Sequence, residues 1–203
     1  VLSIVDASNL ERNLYLVSQV FSLGLPTVIA LNMVDLARDR QMEIDIDALA
    51  QRLGVPVIPV QANRGLGINK LAAALAAAAA NSPAERENPF PPAFRQHTAE
   101  LGAWLDEHTK QEVPRFLVER LLLDSDGYLE SQLLNGTAAA GAQKLRAARE
   151  SLAAAGLPVP AVEAMARYEW VARTLGGICR RPEGHRRTTT DRIDALLTHK
   201  LWG

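Results

Sequence analysis

The side chains best placed to do chemistry are Asn32 and Asp35, which close the stretch Thr27–Asp35. A carboxylate such as Asp35 only accepts hydrogen bonds, and it can take two parallel donors at once. Guanine offers such a pair in its ring N–H and its exocyclic amino group. Adenine does not, and would leave the carboxylate desolvated and unpaired. A site built to hydrogen-bond its ligand rejects an analogue that lacks the matching group by about 10⁴-fold or more. Asn32 brings one acceptor and two amide donors. It can bond a base on its other edge and tie its own loop to neighbouring backbone. The plain alternative is an Asn/Asp turn that caps the next helix, a common use of these residue types.

The element in front of the pair favours the first reading. Val28, Ile29, Ala30 and Leu31 form an unbroken apolar run after Gly24-Leu25-Pro26. Such a run suits a central parallel strand covered on both faces. An open α/β sheet places its ligands at the carboxyl ends of such strands. Asn-x-x-Asp is also the spacing with which guanine-nucleotide-binding proteins read the base. Upstream, Val1–Val5 reads as a first strand ending at Asp6. Ser8 or Asn9 then caps a helix over 10–23, with Leu10, Leu14, Val17, Val20 and Phe21 on one face. Downstream, Arg38–Glu43 reads as a polar loop. Asp45 or Asp47 caps a short helix over 48–53, which Gly54 ends. Val55–Val60 is a third strand, and the missing N–H groups of Pro56 and Pro59 predict an edge or a strand of limited pairing. The loop Gln61–Ile68 leads into a helix over 69–80, rich in alanine and so a strong helix former. Its Gly65-x-Gly67 lacks the third glycine and the later acidic residue of a dinucleotide-binding loop. Alternating strands and helices predict a parallel sheet with right-handed crossovers. Three strands are too few for a complete nucleotide-binding domain.

Asn81–Pro92 contains four prolines and reads as a linker. Beyond it the pattern is helical only, over 93–108, 113–123, 127–133, 137–155, 159–176 and 188–201. Leu121, Leu122, Leu123, Leu133, Leu134, Leu145, Leu152, Val162, Met165 and Val171 supply the expected bundle core. The predicted organisation is thus an α/β part over 1–80, a linker over 81–92 and an all-α part over 93–203. The 203 residues are 48% hydrophobic and 22% charged, ordinary for globular domains. A net charge of −1 gives no electrostatic argument for nucleic acid. One cysteine, Cys179, excludes an internal disulfide and the usual structural zinc sites. No stretch approaches the roughly 18 apolar residues of a membrane span, and no signal peptide is present. The chain opens directly inside a strand-like run and is expected to be a piece of a longer protein. The histidines, His97, His108, His185 and His199, are scattered and suggest no metal site. Trp104, Trp170 and Trp202 are expected to pack. Arg180, Arg181, Arg186 and Arg187 form a basic tail that suits either a solvated loop or anionic lipid.

Several stretches together resemble one family. They are Asp6–Leu16 (Asp-Ala-Ser-Asn-Leu-Glu-Arg-Asn-Leu-Tyr-Leu), Leu23–Pro26, Ala30–Asp35, Leu53–Val57 and Gly65–Ile68. They resemble the cytosolic G domain of FeoB-type ferrous iron transport protein B. Ala166–Trp170 and Thr190–His199 are similar to that family's helical regulatory domain and its exit toward the membrane. The resemblance implies an α/β class fold followed by an all-α one: a partial P-loop-type G domain, then a helical domain that inhibits nucleotide dissociation. It implies that Asn32 and Asp35 read guanine. Met33 stands where most GTPases have a Lys, and its thioether can cover the ring by dispersion. Gln61, Ala62 and Asn63 match the second guanine loop, in which the Ala62 N–H would meet the base oxygen; Gln61 replaces a Ser or Thr common in related GTPases. No Gly-x-x-x-x-Gly-Lys-Ser/Thr phosphate loop is found in the 203 residues, nor an Asp-x-x-Gly motif for magnesium and switch movement. Phosphoryl transfer rests on positioning phosphates and metal, and those parts are expected before Val1. The chain is therefore expected to hold only the guanine part of GTP or GDP. Mg2+ would belong to the parent protein, and the chain alone would have no catalytic residue and no GTPase activity. The parent would couple GTP binding and hydrolysis to Fe(II) uptake at the cytoplasmic face of the bacterial inner membrane. Its partner would be the membrane transport domain of the same protein, with oligomerisation left open. Two rivals stand beside this reading: a helical protein-interaction module with a non-binding α/β remnant, and another GTPase with a helical appendage.

Overall fold

The computed structural model describes residues 1–82, 86–109, 112–134, 138–159 and 161–180. The helix expected over 188–201, with Arg181, Arg186, Arg187, His185, His199 and Trp202, lies outside the described residues. The first half runs β1 (Leu2–Asp6), α1 (Leu10–Ser22), β2 (Val28–Asn32), α2 (Val34–Asp39), β3 (Glu43–Ile44), α3 (Ile46–Leu53), β4 (Val57–Pro59) and α4 (Ile68–Ala79). The order in the main sheet is β1-β2-β4, and both pairings are parallel. The apolar run of β2 lies at its centre with Val28, Ile29, Ala30 and Leu31 all buried. Successive side chains of a strand face opposite sides. Ile29 and Leu31 therefore meet Leu14, Val17, Leu49 and Leu53 in one core, while Val28 and Ala30 meet Leu71 and Val60 in another. β4 lies at an edge, as its prolines predict, and among the described residues only β2 pairs with it. At the opposite edge, β1 pairs among the described residues with β2 alone. Its Leu2 and Ile4 continue the Val28/Ala30 face and are 40% and 68% exposed.

Local chemistry explains the starts and stops. The Asp6 carboxylate accepts from the Ser8 N–H at 2.8 Å and caps a short 3-10 turn over Ala7–Asn9. α1 then begins without a side-chain cap from Asn9, although Ser8 or Asn9 was the expected cap. Asp45 caps α3 through the Ala48 N–H at 2.9 Å, and Gly54 ends that helix. The polar loop expected over Arg38–Glu43 is shorter, residues 40–42, because α2 runs to Asp39 before it and β3 begins at Glu43 after it.

The second half contains α5 (Pro92–Thr109), α6 (Arg115–Leu123), α7 (Tyr128–Leu133), α8 (Ala138–Ala154), α9 (Ala161–Leu175) and β5 (Cys179–Arg180). Phe94, Leu101, Leu105, Leu121, Leu122, Leu145, Leu152 and Val162 form its core. Three sequence expectations need correction. The region is not helical throughout, because β5 pairs antiparallel with β3, Ile44 opposite Cys179 and Glu43 opposite Arg180. Two-residue strands carry no period that a sequence could display. Met165 is 57% exposed rather than in the bundle core. Val171 is buried, but in the core beneath the sheet together with Trp170. One helix, α9, therefore serves both cores, Val162 and Ala166 on one side and Trp170 and Val171 on the other.

The linker is held along its described length. The Arg86 guanidinium stacks 4.5 Å from the Phe21 ring centre and donates to the Leu25 carbonyl at 3.3 Å. Glu87 pairs with Arg173 at 2.9 Å, Asn88 donates to Glu119 at 2.9 Å, and Phe90 is buried against Phe94. Arg167, 1% exposed, sits at the centre of this junction. Its guanidinium reaches Glu163 at 2.9 Å, Ser18 Oγ at 3.1 Å and Ser22 Oγ at 3.3 Å. Glu163 also accepts from Arg120. A buried cation persists where it is paired and hydrogen-bonded in this way.

Candidate base-reading site

β2 delivers Asn32 to the carboxyl end of the sheet, where it is half-buried. The chain then turns through Met33 at φ 59° and ψ 32°, a left-handed conformation uncommon for a residue other than glycine. α2 starts at once, so Asp35 lies in its first turn. The turn-and-cap alternative makes a definite demand, a side chain bonded to the first amides of α2. Met33 occupies the cap position and no side chain caps the helix. The Asn32 side chain goes elsewhere: its Oδ1 accepts from the Ala62 N–H at 3.3 Å. Asp35 is half-buried, and its carboxylate accepts no hydrogen bond among the described residues.

The second loop leaves the end of β4. The Val60 N–H donates to the Leu31 carbonyl at 2.8 Å, which brings the loop beside Asn32. Gln61 and Leu66 exchange N–H and carbonyl bonds at 3.1 and 3.2 Å and close it. A 3-10 turn over Ala62–Arg64 lies between them. Ala62 and Asn63 are exposed at the rim, and Gln61 is half-buried with its Oε1 enclosed and unpartnered. Met33 is 45% exposed. The structure thus brings Asn32 and Ala62 into direct contact. No described contact joins Asp35, Met33 or Asn63 to them. The Ala62 N–H, expected to face a base oxygen, is the group that donates to Asn32 Oδ1 here.

Other features offer less. The expected absence of Asp-x-x-Gly needs correction: Asp124–Gly127 has that spacing, and the structure uses it to cap α7. The Asp124 carboxylate accepts from the Leu129, Glu130 and Asp126 N–H groups. Burial raises the Asp124 carboxyl, but these backbone bonds outweigh it and hold the group below its usual range. Clefts of about 550–600 Å³ lie along α1, α9 and the linker. One is lined by Leu10, Tyr168, Val171 and Cys179, and another by Phe21, Arg86 and Arg115. Among the described residues no group of three or more His, Cys, Asp or Glu side chains could hold a metal ion. Nor is any helix among them long and apolar enough to cross a membrane.

Comparison with known proteins bears on both halves. Residues 1–75 match the family model described as ferrous iron transport protein B. The Fe(2+) transporter FeoB of Salmonella typhi is 43% identical over 113 residues, which is 56% of this chain and 14% of that protein. The Fe(2+) transporter FeoB of Escherichia coli is 54% identical over 74 residues, 36% of this chain and 10% of that protein. The chain therefore aligns with only a small part of the curated relatives' length. The cytosolic domain of L. pneumophila FeoB matches with a TM-score of 0.65 at 29% identity, covering 88% of this chain and 67% of that one. The mGMPPNP-bound NFeoB of S. thermophilus matches with a TM-score of 0.68 at 25% identity, covering 89% of this chain and 68% of that one. These likenesses agree with the resemblance carried by Asp6–Leu16 and Ala30–Asp35, and the parallel sheet followed by a helical region is their shared fold.

Proposed function

We propose that this chain, a FeoB-type cytosolic region by sequence and fold, reads the guanine base of GTP or GDP at the carboxyl end of β2. The observation that carries the reading is the Asn32–Ala62 bond at 3.3 Å, which ties the two loops expected to grip the base. Asp35, with no bond among the described residues, keeps both carboxylate oxygens for the ring N–H and the amino group of guanine. Asn32 is oriented by its Oδ1 contact and keeps its amide donors for the base. Met33 covers one face of the ring. Ala62 shares its N–H between Asn32 and the base oxygen. Support comes also from the likeness to the mGMPPNP-bound NFeoB of S. thermophilus.

Mg2+ and the groups that hold the phosphates would supply the hydrolytic chemistry, and no residue of this chain is assigned to either. We place their residues in sequence upstream. Such a segment would pair with the open edge of β1 and cover Leu2 and Ile4. In the parent protein the region would lie at the cytoplasmic face of the bacterial inner membrane. It would pass its nucleotide state to the membrane domain that moves Fe(II).

The test is a nucleotide titration of the 203-residue chain, followed by ¹⁵N–¹H spectra, with GDP and ADP compared. GDP is expected to bind at least about tenfold more tightly than ADP, since a built polar site discriminates strongly. Asp35→Ala should bring the two together. Equal binding of GDP and ADP by the unaltered chain would overturn the reading and leave the helical half as the part to study.

A further inference from the structure

The loop that carries Ala62 must be set to within a fraction of an ångström if its N–H is to meet both Asn32 and a base. A hydrogen bond weakens steeply as its geometry departs from the ideal. Two ends hold the loop. At its start, the Val60–Leu31 bond continues the β2–β4 pairing. At its end the chain comes back across β4 and enters α4, where the Leu71 N–H donates to the Gly67 carbonyl at 3.0 Å. The return is very close. A Cβ on Gly67 would stand 2.4 Å from the Pro59 carbonyl oxygen and 3.2 Å from Val60 Cγ1. Real Cβ contacts essentially never fall below 3.0 Å. The atom it would strike is backbone, part of the strand that carries the loop, and cannot rotate aside. Gly67 also has φ 83°.

Gly65 is the natural contrast. It lies in the same loop with φ 67°, yet a Cβ there meets nothing within 4 Å. Gly65 supplies a left-handed turn only, while Gly67 supplies a left-handed turn and a close approach.

We propose that Gly67 is a positioning residue of the base-reading site and acts through the Gln61–Leu66 loop. Its missing side chain lets the loop close against Pro59, and that closure fixes where the Ala62 N–H points. The residue touches no ligand. It sets the register of the group that reads the oxygen of guanine, the position at which adenine carries an amino group. A side chain at Gly67 therefore degrades discrimination between the two bases more than it degrades folding. This inference rests on the base-reading proposal for Asn32, Asp35 and Ala62.

The experiment compares Gly67→Ala, Gly67→Asn, Gly65→Ala and the unaltered chain. Asn tolerates the left-handed region better than Ala but brings the same Cβ. It therefore separates crowding from backbone strain and is the safer variant to fold. Each is titrated with GDP and ADP, and the Ala62 amide resonance is followed without nucleotide. Both Gly67 variants are expected to shift the Ala62 amide and weaken GDP by about tenfold or more. Their weak ADP binding should stay unchanged, so the ratio falls toward one. Gly65→Ala, strained at φ 67° but uncrowded, should lower the ratio less than Gly67→Ala does. Folded Gly67 variants that keep both the ratio and the Ala62 resonance would overturn the proposal. So would a failure of both variants to fold, which would make the close approach a folding contact. If the unaltered chain shows no guanine preference, the base-reading proposal itself fails. The nucleotide-free Ala62 shift would then still report whether Gly67 places the loop.

Discussion

Asp35 and Glu163 are both carboxylates in the first turn of a helix, and their neighbours give them opposite tasks. Asp35 is left without a bond among the described residues, as the base-reading role proposed for it requires. Glu163 is fully engaged by Arg167 and Arg120. Burial pushes the Glu163 carboxyl up, but the two guanidinium partners outweigh it and hold the group below its ordinary value. A carboxylate lowered by folding adds stability above its unfolded pKa, near 4.5 here, and loses it as pH falls through the folded value. The melting temperature should therefore fall as pH drops below about 4.5. Glu163→Gln should melt lower at neutral pH and show a shallower acid fall. Calorimetry from pH 7 to pH 3 checks this, and equal slopes for the two proteins would remove Glu163 from the junction.

At the scale of elements, α9 is the member on which both halves depend. Trp170 and Val171 belong to the core beneath the sheet, while Val162 and Ala166 belong to the bundle. Its C-terminus is held from the α/β side. Arg52, in the last turn of α3, donates to the carbonyls of Arg173, Thr174 and Gly176 at 3.1, 3.0 and 2.7 Å. These last carbonyls have no partner within the helix, and a cation there also suits the helix dipole. β5 follows directly and pairs with β3. Arg52→Ala is expected to cost on the order of 1 kcal/mol, since the side chain lies at the surface and water replaces part of what is lost. The loss should be local. Amide exchange should quicken over 173–180 and over Glu43–Ile44, while the bundle core stays protected. Uniform quickening across the chain would argue against Arg52 as a cap of α9.

At the scale of the molecule, the two cores share α9, the linker packing and the buried Arg167. They are expected to unfold together rather than as independent domains. Residues 93–203 by themselves would expose Trp170 and Val171, which are 5% and 2% exposed here. Arg167 would also lose its partners Ser18 and Ser22. The isolated segment should therefore melt well below the 203-residue chain and bind a hydrophobic dye. Equal thermal stability of the two would show an autonomous helical domain. The sheet carries a second imbalance. β1 has an open edge with Leu2 and Ile4 exposed beside it, and unpaired strand edges invite pairing with further chain.

The order of strands and helices was legible in the sequence because each long element writes its own period or propensity. The buried run of β2, the prolines that confine β4 to an edge and the apolar face of α1 are local signals. So is the Asn-x-x-Asp spacing of Asn32 and Asp35 at the end of a strand. Short or distant relations leave no such trace. β3 and β5 are two residues each and meet only because α9 returns the chain to the sheet. The assignment of Val171 to one core and the exposure of Met165 depend on which side of α9 faces α1. Arg167 reads in sequence as one more surface charge, and only packing buries it against Ser18 and Ser22. Gly67 is the sharpest case. The sequence shows a glycine in a Gly-x-Gly pair, while the 2.4 Å approach to Pro59 exists only once β4 and α4 are folded together. Residue types and their periods are properties of the chain alone, and distances between its parts are properties of the fold.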